Sequence, residues 1–273
     1  MGLIRAWIPQ WLRVLSRSPF MKPVRWLWQS MNSSLNTEQA YSAKYEVISG
    51  VAPPLLYGFQ NSRAAEIQHA AFKSVLHEMY AGKARDDFTA VAAAVRITSV
   101  ADPVIIEVGC ASGWNVEVLS YLLNRPVRYI GLDYSSASIK LGMECYPHVR
   151  FIIGDATELP IRDGACDILL SGTVLMHLWA YERAIQESRR VSRKWCIFHT
   201  VTVMQGRPTT FLRKLAYGSP VIEVVFNQQH LLSLFEDNGL ILRHALDSLP
   251  YDLSEHLGER SFSKTYVCEI ARK

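Results

Sequence analysis

From Pro103 onward the chain alternates short apolar runs with helix-like stretches of about 10–15 residues, and that rhythm limits the fold more than any other feature. VIIEVG, VRYIGLDY, VRFIIGD, CDILLSG and WCIFHTVTV read as strands, since each is rich in Val, Ile, Leu and aromatic residues. Helices are predicted at 114–123, 136–143, 180–191 and 228–238, and ILRHAL and KTYVCEIA close the pattern as a strand pair. Strands joined through helices specify a parallel sheet covered on both faces. The predicted fold is α/β, a doubly wound, mostly parallel, seven-stranded Rossmann-like sheet. Helical patterns at 61–80 and 85–97 lead into it. The expected division is an amphipathic and irregular N-terminal extension over 1–60 and a domain over 61–273, with its core at 100–272.

Hydrophobic residues make up 49% and charged residues 20%, which excludes disordered and collagen-like classes. No apolar run approaches the roughly 18 residues that span a bilayer. The five cysteines are odd in number and scattered, without a CxxC pair, so reduced thiols in a cytoplasmic protein are expected and no metal site. The net charge of +4 is concentrated in residues 1–37, which hold five basic residues and no acid. The rest is close to balanced, so a nucleic-acid partner is not favoured. Residues 1–31 carry Trp7, Trp11, Trp26 and Trp28 among arginines in an amphipathic pattern. Two readings stand: peripheral contact with a membrane at its cytoplasmic face, or packing against the body or a second subunit.

The loop after the first strand of the alternation, EVGCASGWN, is not a dinucleotide fingerprint, because the third glycine would fall at Trp114. Nor is it a phosphate loop, since no Gly-Lys-Ser/Thr follows. A carboxylate at Glu107 repels a pyrophosphate and attracts an ammonium or sulfonium group, so the expected ligand is cationic. Asp133 and Asp155 end the next two strands, where ligands of open α/β sheets bind. Each also has a structural reading, as a helix cap or a turn residue.

EVGCASG, GLDYS and GDATELPIRDGACDILLSGTVLMHL, in that order, resemble the class I S-adenosylmethionine-dependent methyltransferases, of the type 11-like domain that includes small-molecule and lipid-quinone methyltransferases. The resemblance covers about residues 100–272. It implies S-adenosyl-L-methionine as cofactor. Glu107, Gly109, Cys110, Ala111 and Gly113 match the motif around the methionine part, with alanine where many members have the middle glycine. Asp133, followed by Tyr134, matches the ribose-binding acid. Asp155 and Ala156 match the adenine contacts, and Ser171 and Gly172 close over the methionine portion.

The acceptor is left open among a small molecule, a glycan and a lipid-linked intermediate. If the acceptor must lose a proton, His177 is the candidate base and His199 the second; each also reads as a structural residue, His177 capping a helix and His199 packed in a strand. Removing His177 is expected to lower turnover far more than cofactor affinity. The long segment 205–226 reads as a lid whose Arg207, Arg213 and Lys214 meet an anionic group, or as an ordinary solvated helix and loop. An NAD-dependent oxidoreductase and a non-catalytic protein of the same fold are the alternatives.

Overall fold

The computed structural model describes residues 45–50 and 53–271, so the tryptophan-rich segment at 1–31 lies outside the described residues. In chain order the strands are β1 (Glu46–Ile48), β2 (Val104–Val108), β3 (Arg128–Asp133), β4 (Arg150–Ile153), β5 (Cys166–Gly172), β6 (Ser192–Met204), β7 (Thr210–Ala216), β8 (Ser219–Asn227), β9 (Leu240–Asp247) and β10 (Phe262–Ile270). The seven strands expected from the sequence lie in the order β4-β3-β2-β5-β6-β10-β9. Only β10 runs against its neighbours, antiparallel to both β6 and β9.

The apolar runs explain the layering. Successive side chains of a strand point to opposite faces of the sheet, so adjacent residues such as Ile105 and Ile106, or Ile168 and Leu169, enter different cores.

 
Ile106, Leu169 and Phe198 pack on one face against α5 (Tyr181–Val191) and α6 (Gln228–Asp237). On the opposite face Ile105, Ile168, Leu170 and Ile197 meet α1 (Ser62–Tyr80), α2 (Asp86–Ile97), α3 (Asn115–Leu123) and α4 (Ser136–Cys145). Each such fully buried aliphatic side chain contributes about 1.5–3 kcal/mol. Local capping sets where the helices start: the Asn61 side chain accepts from the Arg63 N–H at 2.8 Å, and that of Asn227 from the His230 N–H at 3.0 Å.

Segment 205–226 is not a solvated helix and loop. It holds a hairpin, β7 and β8, turning at Tyr217 and Gly218, whose φ values of 51° and 79° suit a two-residue turn of the primed type. β1 pairs with β7, and β8 joins β6 in parallel over Val203–Phe226 and Met204–Asn227, beyond the point where β5 ends. This three-stranded insertion stands beside the carboxyl ends of the parallel strands. Residues 32–60, read from sequence as a mostly irregular connection, contain among the described residues a strand at Glu46–Ile48, a short helix at Pro53–Leu56 and a 3-10 turn at Gly58–Gln60.

Candidate active site

Strand order reverses between β2 and β5, and a cavity of about 440 Å³ opens at the carboxyl ends of these strands, as open α/β sheets require of a ligand site. Of the residues singled out by sequence, Gly109, Ala111, Asp133, Tyr134, Asp155, Ala156, Gly172, His177, His199 and Lys214 line it.

The loop leaving β2 is built on left-handed backbone. Gly109 and Gly113 have φ of 72° and 81°, and Ala111 between them has φ of 48°. For alanine this conformation costs about 1 kcal/mol relative to glycine. The compensation is visible: the Ala111 N–H donates to Asp133 Oδ2 at 2.8 Å, while the Ser135 N–H donates to Oδ1 at 2.8 Å. Asp133 thus ties the β2 loop to the turn after β3. Burial raises its pKa against the pull of those backbone bonds. Ala111→Gly is expected to leave cofactor affinity within about threefold and to change stability by less than about 1 kcal/mol, relief of strain offsetting the freer unfolded chain. Chemical denaturation together with calorimetry checks this.

Glu107 lies behind the lining. It is 1% exposed, its Oε1 accepts from Asn115 Nδ2 at 2.6 Å, and its Oε2 from the Tyr129 hydroxyl. A Cβ at Gly172 would fall on this carboxylate, so glycine there makes room for the acid. Burial pushes the Glu107 carboxyl up to about 7, the two hydrogen bonds pull it down, and the charge of Asp133 pushes it further up. Cys110, Gly113 and Ser171 are also outside the lining. Cys110 is buried in the core under α3, Gly113 abuts the Phe151 ring, and Ser171 is enclosed within β5.

At the far side of the same end, Asp155 Oδ1 accepts from both the N–H and the hydroxyl of Thr157, at 2.7 and 2.8 Å, and Oδ2 is in neither bond. The Tyr134 hydroxyl accepts from the Phe59 N–H at 3.2 Å, which brings residues 56–59 over the cavity.

His177 packs against Phe59 with ring centroids 5.0 Å apart and the rings tilted by 59°, and its Nδ1 meets the Ile222 carbonyl at 2.7 Å. Donation to that carbonyl puts the proton on Nδ1 and leaves Nε2 to accept. Burial, and then the nearby Lys214 charge, lower its pKa to about 3. His199 is buried and lowered by burial to about 4. Both rings are neutral at physiological pH. Turnover at saturating cofactor and acceptor is therefore expected to show no imidazole limb between pH 6 and 8; a limb abolished by His177→Asn or His199→Asn would contradict it.

The three cations of the 205–226 segment are each engaged within the protein. Arg207 donates to the Leu257 carbonyl, Arg213 pairs with Glu46, and Lys214 pairs with the fully buried Glu223. The structure also brings in residues that sequence reasoning missed. Trp114 stacks on Phe72 at 3.7 Å, and Arg85 grips Asp87 with two bonds of 2.6 Å, all four lining the cavity. Trp114 had a signal, its place where a dinucleotide loop has glycine; Phe72, Arg85 and Asp87 had none. Among the described residues no group of three or more His, Cys, Asp or Glu could hold a metal ion.

A doubly wound sheet whose switch-point loops, 107–115, 133–138 and 154–157, carry carboxylates and neither Lys nor Arg defines a binding site for a cationic nucleoside cofactor. It is a poor fit to the pyrophosphate of NAD. The methyltransferase domain family matches residues 106–198. A probable S-adenosylmethionine-dependent methyltransferase of Mycolicibacterium smegmatis is 30% identical over 182 residues, 61% of this chain and 70% of that protein. The phthiotriol/phenolphthiotriol dimycocerosates methyltransferase 1 of Mycobacterium ulcerans is 33% identical over 58% of this chain and 65% of its own length. Among solved structures, the 1,6-didemethyltoxoflavin-N1-methyltransferase of Burkholderia thailandensis, with bound 1,6-didemethyltoxoflavin and S-adenosylhomocysteine, shares the fold at a TM-score of 0.54 and 16% identity, over 85% of this chain and 97% of that one. The chain belongs to the S-adenosylmethionine-dependent methyltransferases. Its cofactor is S-adenosyl-L-methionine, which when bound supplies a methyl group on a sulfonium leaving group.

Proposed function

We propose that this enzyme methylates a largely apolar acceptor, a lipid-linked intermediate or a hydrophobic small molecule rather than a bare glycan. One observation carries the reading: the cavity runs from the acidic loops to a mouth where Tyr57, Trp179 and Leu215 are 55%, 42% and 46% exposed while also lining it. Exposed apolar side chains gathered around an entrance suit an acceptor that arrives by its apolar part. The relative named for phthiotriol and phenolphthiotriol dimycocerosates is consistent with that class.

Within this reading Asp133 and Asp155 hold the adenosine, as the family motifs imply, and Gly109, Ala111 and Gly172 let the backbone close on the methionine part. The chain's own contribution to transfer is positioning, because the methyl group is already activated. His177, neutral and accepting at Nε2, orients the acceptor, and His177→Ala is expected to lower turnover about 10–100-fold with S-adenosylhomocysteine affinity unchanged. Among the described residues no helix is long and apolar enough to cross a membrane. Residues 1–31, amphipathic and basic, are proposed to hold the protein at the cytoplasmic face of a membrane where such an acceptor resides.

The test is transfer of a labelled methyl group from S-adenosylmethionine to fractions of a cell extract. Label appearing in the lipid or apolar fraction supports the reading. Label confined to the water-soluble glycan fraction, or no transfer to any fraction, overturns it. Co-sedimentation with anionic liposomes, with and without residues 1–31, tests the membrane contact separately; equal sedimentation of the two forms removes it.

A further inference from the structure

The wall of the cavity opposite the acidic loops contains a strained irregularity in the middle of the sheet. In the ladder between β6 and β10, Phe198 pairs with Tyr266 and Val201 with Lys264, so His199 and Thr200 together face the single residue Thr265. This is a β-bulge. Thr200 has φ of 54°, a conformation that β-branched residues rarely hold. In a regular strand two successive side chains point to opposite faces, whereas here both residues line the cavity.

The bulge's own polar atoms are satisfied. His199 Nδ1 meets Thr265 Oγ1 at 2.8 Å, its Nε2 meets Thr200 Oγ1 at 3.1 Å, and Thr200 Oγ1 meets Ser248 Oγ at 2.9 Å. Two residues further along, they are not. Thr202 stands directly opposite Ser263 in the same ladder, and both line the cavity. Ser263 is 3% exposed and its Oγ has no partner, while the Thr202 hydroxyl is directed at the Met176 sulfur, 3.9 Å away. A buried hydroxyl without a partner costs about 1–3 kcal/mol, so this pair is poised for an oxygen or N–H supplied from the cavity.

The charges nearby decide which kind of group that is. Lys214 is held by Glu223, whose Oε2 also accepts from the Tyr251 hydroxyl at 3.0 Å. Arg85 is gripped by Asp87 on two bonds. His177 and His199 are neutral. An anion entering here would meet cations already neutralised, and a cation would meet Asp87 already held by Arg85.

We infer that the Ser263–Thr202 hydroxyl pair beside the β6 bulge is the specificity subsite for the acceptor, and that it takes an uncharged oxygen, a hydroxyl or a carbonyl, carried on an apolar frame. This rests on the reading of the cavity as a methyl-acceptor site and narrows it to neutral oxygenated compounds.

Three probes on one ring separate the alternatives: cyclohexanol, cyclohexanecarboxylate and cyclohexylammonium, titrated into the full-length protein saturated with S-adenosylhomocysteine. Cyclohexanol is expected to bind at least about tenfold more tightly than either charged probe. Ser263→Ala and Thr202→Val are each expected to weaken it about three- to tenfold, with S-adenosylhomocysteine affinity unchanged, which also reports that the variants fold. A charged probe binding as well as cyclohexanol, no binding of cyclohexanol, or a double variant that binds it like the wild type overturns the assignment. The first titration, of S-adenosylhomocysteine alone, reports on the methyltransferase reading independently of the subsite.

Discussion

Asp133→Ala is expected to weaken cofactor binding about a hundredfold and to destabilise the protein by about 2–6 kcal/mol. The stability estimate follows from two backbone donors, the N–H groups of Ala111 and Ser135, each 2.8 Å from an Asp133 oxygen and each left buried without a partner. An unsatisfied buried donor costs about 1–3 kcal/mol, a large share of the roughly 5–15 kcal/mol that holds a domain together. Relief of burying a carboxylate acts in the other direction in both variants, and the lower half of the range applies to Asp133→Asn because one of the two donors keeps an acceptor. That variant keeps one acceptor oxygen and turns its amide N–H groups toward the other donor.

The affinity loss has a separate origin. Two of the four lone-pair positions on the Asp133 carboxylate serve the backbone, and the cavity-facing remainder is what the family motif gives to the ribose hydroxyls. Two charge-assisted bonds at about 1.5 kcal/mol each amount to roughly a hundredfold in affinity. Calorimetry with S-adenosylhomocysteine and urea denaturation measure the two effects independently. An Asp133→Ala protein that binds S-adenosylhomocysteine within about threefold of wild type would show that the carboxylate serves the loop alone.

Sequence and structure agree most closely where the chain is buried on two faces. VIIEV and CDILLSG are apolar apart from Glu107, Asp167 and Ser171 because both sides of β2 and β5 are covered, and a run of that kind has few other fates. The hairpin of β7 and β8 was hidden for the opposite reason. Arg213 and Lys214 are adjacent charges that read as a solvated surface, yet the structure pairs them in opposite directions, Arg213 outward to Glu46 and Lys214 inward to Glu223. The turn at Tyr217-Gly218 between two β-rich runs was the available signal. β1 had none, being three residues long with a partner more than 160 positions away. In the site, spacing at strand ends located Asp133 and Asp155, but it could not distinguish a residue on the wall from one behind it. Glu107, Cys110, Gly113 and Ser171 all match family motifs and all lie outside the lining. The bulge at His199-Thr200 was invisible in FHTVTV, where every residue suits a regular strand.

Glu107 should make the enzyme's stability and its cofactor affinity depend on pH in opposite senses. Its folded pKa of about 7 stands above the usual 4.5. Between those values the folded protein holds a proton that the unfolded chain has released, so stability falls as pH rises from about 4.5 to about 7, by up to roughly 3 kcal/mol, and is flat with respect to this group above that. A cationic ligand on the other side of Gly172 favours the ionised carboxylate, so binding releases a proton and affinity rises with pH, by up to about tenfold between pH 6 and 8. Glu107→Gln preserves the local bonds, since its oxygen still accepts from Asn115 and its amide donates to the Tyr129 hydroxyl, but it has no proton to release. Calorimetry of S-adenosylmethionine binding in two buffers of different ionisation enthalpy reads the proton count directly. Release by the wild type near pH 7 and none by Glu107→Gln is the expected result, and equal counts in the two proteins would show that Glu107 is structural and that the sign of the ligand is set by Asp133 alone.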